Sequence, residues 1–156
     1  MRTKTWIKES IKKLIMVLCG KDFFSMRLNQ DYEFVFLDIY DTAVFRIVEN
    51  PKDVFDIVQK LFCKDHIWSY PESFKDMRIE AEKRARKKSL HGEVTLKDIY
   101  DCFALLEEKE KKTLQDMEIS VERQVAYCNP EFKPFYENLL AQGIDIVFIS
   151  DMYLRT

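Results

Sequence analysis

The stretch Glu33 to Thr42, EFVFLDIYDT, decides how the rest of the chain is interpreted. Its apolar run from Phe34 to Leu37 consists of residues that favour strands and is too short for a helix, so it predicts a strand buried on both faces. Asp38, Asp41 and Thr42 follow where this strand should end. Carboxylates that follow a buried strand are typical of a site at the edge of a sheet.

A second apolar run, Ile144 to Ile149 (IDIVFI), ends in the same way, with Ser150 and Asp151. The run predicts another buried strand. Two strands therefore deliver a small hydroxyl or acidic residue to the loop that follows them. This repetition is the strongest functional signal in the sequence.

A helix is predicted directly before the second strand. Asn129-Pro130 is a helix start signal, Phe132, Phe135, Tyr136, Leu139 and Leu140 form an apolar stripe, and Gly143 ends the helix. A strand, a helix and a strand in this order form a right-handed crossover with parallel strands, whose carboxyl ends lie at one edge. The sequence therefore predicts an α/β fold with one candidate site, composed of Asp38, Asp41, Thr42, Ser150 and Asp151.

The long segment between the strands is predicted to be helical. A first helix is expected to begin at Asn50-Pro51, because Asn is a preferred N-cap and Pro suits the first turn. Further helices are expected at about residues 72–89, 96–106 and 113–126. The second of these follows Thr95, with Asp98 near the capping-box position. Since one helix suffices for an ordinary crossover, we expect the remainder to form an inserted helical cap over the site.

These patterns predict three parts of the chain. Residues 1–30 are expected to form an N-terminal amphipathic helical segment, residues 31–46 and 129–156 an incomplete α/β core, and residues 47–128 the helical cap. The later half of the helix at 72–89 is strongly basic. This face is either solvated or directed at an anion near the strand ends.

The N-terminal segment has an apolar stripe on one side of a predicted helix. Its residues are Ile7, Ile11, Leu14, Ile15 and Leu18. Such a helix docks on its own domain, lies on an anionic membrane surface as a peripheral contact, or binds a partner protein, and the sequence leaves these three alternatives open.

The overall composition excludes several classes of function. The 25 basic and 27 acidic residues nearly balance, so the composition gives no general preference for nucleic acid. The four cysteines and two histidines are scattered without a zinc-binding spacing, and we expect the cysteines to be buried free thiols. No apolar run reaches the roughly 18–20 residues of a membrane span. A cytoplasmic protein with no nucleic-acid partner is expected.

Two motifs of the chain resemble those of a known family. FLDIYDTAVFR, followed by NPKDVF, resembles the first motif of the haloacid dehalogenase (HAD) superfamily, in a subgroup with an FDxFDTL-like sequence, and VFISDMYL resembles its second motif. FKDMRIEAEKRAR and VTLKDIY resemble the helical cap of the same relatives. The resemblance covers roughly residues 33 to 155 and implies a Rossmannoid parallel sheet with an inserted α-helical cap.

The resemblance also implies roles for individual residues. Asp38 matches the nucleophilic aspartate, Thr42 the threonine that supports the loop, and Ser150 the hydroxyl that binds the transferred group. The activity implied is a phosphatase-type hydrolase that acts on a small phosphorylated metabolite through an aspartyl intermediate. The implied cofactor is Mg²⁺, held partly by Asp38.

The chain departs from the phosphatase pattern at Tyr40. Phosphatases of this family usually have a second aspartate there as general acid, whereas here Asp41 follows one residue later. Asp41 and Asp151 are interpreted as loop-shaping acceptors. Arg46 is expected either to pair with a cap carboxylate or to meet the substrate.

Three functional hypotheses follow. The first is the phosphatase, with this chain as its N-terminal portion, since the family's later lysine and acidic motif have no counterpart before Thr156. The second is a catalytically silent binding or scaffold module. The third is a metal-independent dehalogenase-type hydrolase, which Tyr40 would suit.

Overall fold

The computed structural model describes residues 34–150 and Tyr153, and these form a mixed α/β structure. They contain four strands and five helices. In chain order the elements are β1 (Phe34–Asp38), β2 (Val44–Arg46), α1 (Asp53–Phe62), α2 (Phe74–Lys88), α3 (Leu96–Tyr100), α4 (Glu108–Val125), β3 (Ala126–Cys128), α5 (Phe132–Ala141) and β4 (Asp145–Ile149).

The two apolar runs of the sequence form a parallel pair of strands. β1 and β4 pair in register from Phe34 beside Asp145 to Asp38 beside Ile149. The predicted strands and their parallel direction are therefore confirmed. Their carboxyl ends lie at one edge, as the connection through a helix requires. The expected burial of both faces was wrong, since Phe34, Val147 and Ile149 are 48%, 42% and 54% exposed.

A second, short pair of strands was not predicted. β2 and β3 pair antiparallel, with Arg46 opposite Ala126 and Val44 opposite Cys128. Each strand has three residues, which is too short for an alternating pattern to be recognised. The pair joins the two chain segments that lead into and out of the helices.

Helices α1 to α4 form what we call the helical region, residues 53–125. Their apolar side chains share one hydrophobic cluster, and α1 packs against both α2 and α4. The most deeply buried apolar members include Val54, Val58, Phe62, Phe74, Ile99 and Leu114. The segment between the strands is therefore helical, as expected.

A second hydrophobic cluster lies between α5 and the parallel strands. Leu37 of β1 is 1% exposed and packs with Phe132, Phe135 and Leu139 of α5. The predicted stripe on α5 is thus largely confirmed, although Leu140 is 51% exposed and lies off the core. The helix ends at Ala141, and Gly143 adopts a positive φ of 72°, a conformation that side chains other than glycine rarely adopt.

Both helix starts predicted at Asn-Pro pairs were placed two residues too early. α1 begins at Asp53, with Lys52 as its N-cap, and the Asn50 carbonyl accepts a hydrogen bond from the Asp53 N–H. Asn50 also accepts one from the Lys52 N–H through Oδ1. The pair therefore forms the turn before the helix.

The helix predicted at 96–106 was too long. Thr95 and Asp98 do form a complete capping box, as predicted, but α3 ends at Tyr100. The Cys102 and Phe103 N–H groups then bond to carbonyls three residues back, which is a tighter turn.

Glu107 and Glu110 form a second capping box, so α4 begins at Glu108 rather than near residue 113. The charged stretch that was predicted to precede this helix therefore supplies its cap and first turn. Acidic side chains at this position suit the positive end of the helix dipole.

The expectation of buried cysteines was wrong for the described ones. Cys63 and Cys128 are exposed and Cys102 is partly buried, all as free thiols. None of the helices within residues 34–150 is long and apolar enough to cross a membrane. The predicted helix in residues 1–30 and the site residue Asp151 lie outside the described residues.

Candidate functional site

The parallel register brings two predicted site residues to one edge of the sheet. Asp38 lies beside Ile149, and Ser150 follows Ile149 directly. Both side chains are in exposed residues, and Asp38 Oδ1 accepts a hydrogen bond of 2.7 Å from the Ile39 N–H. A carboxylate and a hydroxyl thus lie at the carboxyl ends of neighbouring strands.

A tight turn follows Asp38. The Ala43 and Val44 N–H groups donate to the Ile39 carbonyl at 2.9 and 2.8 Å. Asp41 adopts a φ of 58°, in the left-handed region that aspartate tolerates better than most residues. Its N–H donates to the Val44 carbonyl at 2.9 Å. Asp41 therefore shapes this loop, in agreement with its interpretation from the sequence.

Asn129 attaches the same turn to the chain before α5. Its Nδ2 donates to the Thr42 carbonyl at 2.8 Å, and its backbone N–H donates to the Ala43 carbonyl at 2.9 Å. Its Oδ1 accepts from the Glu131 N–H at 3.1 Å, and the residue is buried. The sequence indicated Asn129 only as a helix start, so this supporting role was missed.

Tyr40 is packed against a buried ion pair. The Arg46 guanidinium carbon lies 4.0 Å from the centroid of the Tyr40 ring, and Arg46 Nε donates to Glu122 Oε2 at 3.0 Å. Burial raises the pKa of Tyr40, the nearby Glu122 charge raises it further, and Arg46 opposes the shift. The phenol therefore stays protonated at neutral pH.

The Arg46–Glu122 pair also connects β2 with α4. Both side chains are less than one-tenth exposed. Arg46 was expected either to pair with a carboxylate of the cap or to meet the substrate. The contact with Glu122 is the first of these. The half-buried Tyr40 ring and the buried Arg46 side chain thus connect the turn after Asp38 to α4.

A second buried ion pair lies inside the helical region. Arg78 is fully buried and bonds to Glu118 through Nε at 3.0 Å and Nη2 at 2.9 Å. Tyr100 donates to the same carboxylate at 2.8 Å. Burial alone would lower the pKa of Arg78, but the Glu118 charge and hydrogen bonds raise it above its usual value.

Tyr153 connects the segment after β4 to this buried pair. Its ring lies 4.7 Å from the Arg78 guanidinium carbon, and the Phe55 ring lies at 4.9 Å. The Leu96 N–H also donates to the Tyr153 carbonyl at 3.0 Å. Burial raises the pKa of Tyr153, with Glu118 adding to the shift. Tyr153, three residues after Ser150, therefore contacts the helical region.

The basic end of α2 is a solvated face. Lys83 and Arg84 both contact Glu80, and Arg86 contacts Glu82, in pairs along the exposed helix. Pairs of this kind stabilise a helix by a few tenths of a kcal/mol, about 0.2–0.5 each. This arrangement favours the first of the two interpretations of the basic stretch.

The described residues do not contain a group of three or more histidine, cysteine, aspartate or glutamate side chains placed to hold a metal ion. The residue predicted to hold part of a magnesium site is Asp38. Its exposed carboxylate is a suitable oxygen donor for Mg²⁺. Magnesium commonly uses only one or two carboxylates together with water and phosphate oxygens. The donors present therefore fit part of a magnesium site.

Comparison with protein-family models and with curated proteins identified no relative of this chain. No protein-family model matches the chain, and no curated protein matches it. The functional interpretation therefore depends on the two motifs and on the geometry at the strand ends.

Proposed function

We propose that this chain contains the nucleophile-bearing part of a HAD-like hydrolase that removes phosphate from a small phosphorylated metabolite. The observation that supports the proposal most directly is the register of the parallel strands. It aligns Asp38 with Ile149, so that Ser150 is the next residue at the same edge. A nucleophile and a hydrogen-bond donor for the transferred group are needed within reach of one phosphate.

In the proposed reaction the Asp38 carboxylate attacks phosphorus and the bond from phosphorus to the ester oxygen breaks. Oδ2 is the attacking atom, because Oδ1 already accepts the Ile39 N–H. The aspartyl phosphate is then hydrolysed by water, which releases phosphate and restores the carboxylate. Ser150 donates a hydrogen bond to a phosphoryl oxygen as charge develops there.

The proposed cofactor is Mg²⁺, for which Asp38 would supply one oxygen ligand. The ion would neutralise phosphate charge during the attack. The remaining role of this chain is to hold the turn that follows Asp38, through Asn129 and the Arg46–Glu122 pair.

Tyr40 limits the substrates that this site would hydrolyse well. A departing alkoxide needs a proton, and a positioned general acid commonly contributes 10²–10⁴-fold to the rate, as an order of magnitude. The raised pKa of Tyr40 and its packing on Arg46 make it a weak acid for this purpose. We therefore propose a preference for phosphate esters whose leaving group departs without a proton, such as aryl phosphates.

The test is the turnover of an aryl phosphate and an alkyl phosphate by the folded chain, with and without Mg²⁺. We expect metal-dependent turnover of the aryl ester that Asp38→Asn abolishes, and slower turnover of the alkyl ester. Asp145→Asn is the matched control, because Asp145 is also an exposed strand aspartate but lies at the opposite end of the pair. It should retain activity.

The intermediate gives an independent test. After acid quench, mass spectrometry should locate phosphate on the peptide that contains Asp38 in the parent chain and not in Asp38→Asn. A folded chain that shows no turnover and no labelled peptide would overturn the enzyme proposal for this chain.

A catalytically silent binding module is the second candidate. The specific observation that favours it is the engagement of Tyr40, whose ring packs on a buried arginine at the position of the family's general acid. Such a module would bind a phosphorylated metabolite at the same edge without hydrolysing it. Calorimetric binding of a phosphate ester that survives incubation intact would distinguish it from the enzyme.

A further inference from the structure

One face of the parallel strand pair is largely apolar and partly exposed among the described residues. We call it the open face. Its apolar residues are Phe34 and Phe36 of β1 with Val147 and Ile149 of β4, which alternate with the residues that face α5, and Asp145 and Asp38 lie at its two ends. Phe34, Val147 and Ile149 are 48%, 42% and 54% exposed. None of the four belongs to either hydrophobic cluster of the described residues.

Such a face needs a covering layer. Parallel strands are normally buried on both sides, whereas here α5 packs on one side only. Two strands alone are also marginal in water. A continuous exposed apolar patch in a folded domain usually marks a surface that another element covers.

We propose that the N-terminal segment of the same chain covers the open face. The docking surface of that segment is its apolar stripe, formed by Ile7, Ile11, Leu14, Ile15 and Leu18. A helix there would complete a three-layer arrangement, with α5 on the other side of the strands. From sequence alone, a membrane surface and a partner protein remained alternatives for the same stripe.

The lengths of chain involved suit this placement. Residues 21–33 join the stripe to Phe34, where β1 begins, and these thirteen residues span up to roughly 43 Å when extended. The twelve residues from Ile7 to Leu18 would form a helix of about 18 Å, while the five residues of β1 extend over about 17 Å. The length of such a helix therefore matches that of the strand.

The tether also favours this occupant over an external one. A segment tethered to its own domain by a few residues experiences an effective concentration in the millimolar range there. The stripe presents aliphatic side chains, while Lys8, Lys12 and Lys13 fall outside it and would stay in water. Burial of both apolar surfaces is then achieved within one chain.

Thiol accessibility provides the test. In a background with the four native cysteines replaced by serine, Val147→Cys places one thiol on the open face. We expect Ile11→Asp to increase its rate of labelling by at least about tenfold, because a buried carboxylate disfavours docking by more than the ~1.4 kcal/mol that a factor of ten represents. Lys13→Asp, on the opposite side of the predicted helix, is the matched control and should leave the rate unchanged.

Proximity gives a second measurement that does not depend on labelling rates. Leu14→Cys combined with Val147→Cys should form an intrachain disulfide under mild oxidation, whereas Lys13→Cys with Val147→Cys should not. Equal labelling rates for Ile11→Asp and Lys13→Asp would overturn the proposal. So would crosslinks only between chains, which would indicate a second copy. Co-sedimentation with phosphatidylserine vesicles that Ile11→Asp abolishes, with the Val147→Cys thiol equally accessible in both variants, would instead assign the stripe to a membrane.

Discussion

The helical region and the parallel strand pair solve the problem of burial in opposite ways. The helical region buries charged side chains, Arg78 and Glu118, each with 0% exposure. The strand pair instead leaves three large apolar side chains about half exposed on its open face. Apolar side chains are thus exposed on the strand pair, where a covering layer is incomplete. Charged side chains are buried in the helical region, where their partners are present.

The difference shows that residue type alone does not decide which side chains are buried. A side chain is buried where covering elements and hydrogen-bond partners are present. Among the described residues, every buried side-chain nitrogen or oxygen has a hydrogen-bond partner. The charges of Arg78 and Glu118 are tolerated because Tyr100, Glu82, and the rings of Phe55 and Tyr153 complete their surroundings. The strands lack a comparable cover among the described residues.

The strongest disruption of the helical region should come from Glu118→Ala. The substitution leaves the Arg78 cation buried without its main partner, and breaking a buried pair in this way costs about 3–5 kcal/mol. Chemical denaturation followed by circular dichroism should show this loss in the free energy of unfolding. Asp116→Ala, which removes an exposed pair with Lys112, should change it by no more than about 0.5 kcal/mol. Similar losses in the two variants would contradict the contrast.

Leu37→Ala should reduce the stability of the strand pair selectively. Leu37 is the buried apolar residue of β1, and truncation of a buried leucine costs about 2–5 kcal/mol. Because the helical region has its own cluster, we expect amide exchange to accelerate in β1 and β4 while α1 and α4 keep their protection. Leu105→Ala, at a residue that is 56% exposed, is the control. Uniform loss of protection would show that the two clusters unfold as one unit.

Alkaline pH should weaken the helical region through its buried phenols. Burial and Glu118 raise the pKa values of Tyr100 and Tyr153 above the usual 10.0. Above about pH 10 the unfolded chain therefore releases these protons while the folded chain retains them, so stability is complete below pH 10 and falls above it. Each tyrosine contributes a slope of about 1.4 kcal/mol per pH unit. Tyr153→Phe should reduce the slope, and Tyr127→Phe, at an exposed residue, should not.

The smallest of these effects is expected at the N-cap of α3. Thr95 accepts the Asp98 N–H and belongs to a capping box, and removal of such a cap costs about 1 kcal/mol. Thr95→Ala should lower the melting temperature and also accelerate exchange of the Leu96 amide, which donates to Tyr153. Thr113→Ala, within α4, removes only a bond to the Lys109 carbonyl and should be close to neutral. Unchanged exchange at Leu96 would show that the cap does not support this attachment.

The sequence predicted the parts of the fold that depend on local pattern. The runs at Phe34 and Ile144 gave the strands and their parallel direction, and Thr95 with Asp98 gave a correct capping box. The resulting edge with Asp38 and Ser150 was also predicted. The strands β2 and β3 were missed because three residues are too few to show an alternating pattern. The helix after Thr95 was predicted too long because Phe103 and Leu106 are buried although they lie beyond its end.

The sequence pattern could not predict which buried polar side chains pair with one another. Arg78 lies in the same predicted helix as Arg84, and nothing local distinguishes it from Arg84, which is exposed. Its partner Glu118 is 40 residues away along the chain. Asn129 similarly reaches Thr42 across 87 residues. Such pairs depend on the completed packing of the helices, so no spacing rule can identify them in advance.

The register of β1 with β4 also sets an order of events during synthesis. Phe34 must wait for Asp145, about 110 residues later, before its strand has a partner, and closing so long a loop from an unfolded chain is entropically costly. Folding of the intervening helices and pairing of Arg46 with Ala126 would shorten that loop to the short segments on either side. We therefore expect the helical region to fold first on the ribosome, with β1 as a late-pairing strand whose apolar side chains are exposed to aggregation or chaperone binding until β4 emerges.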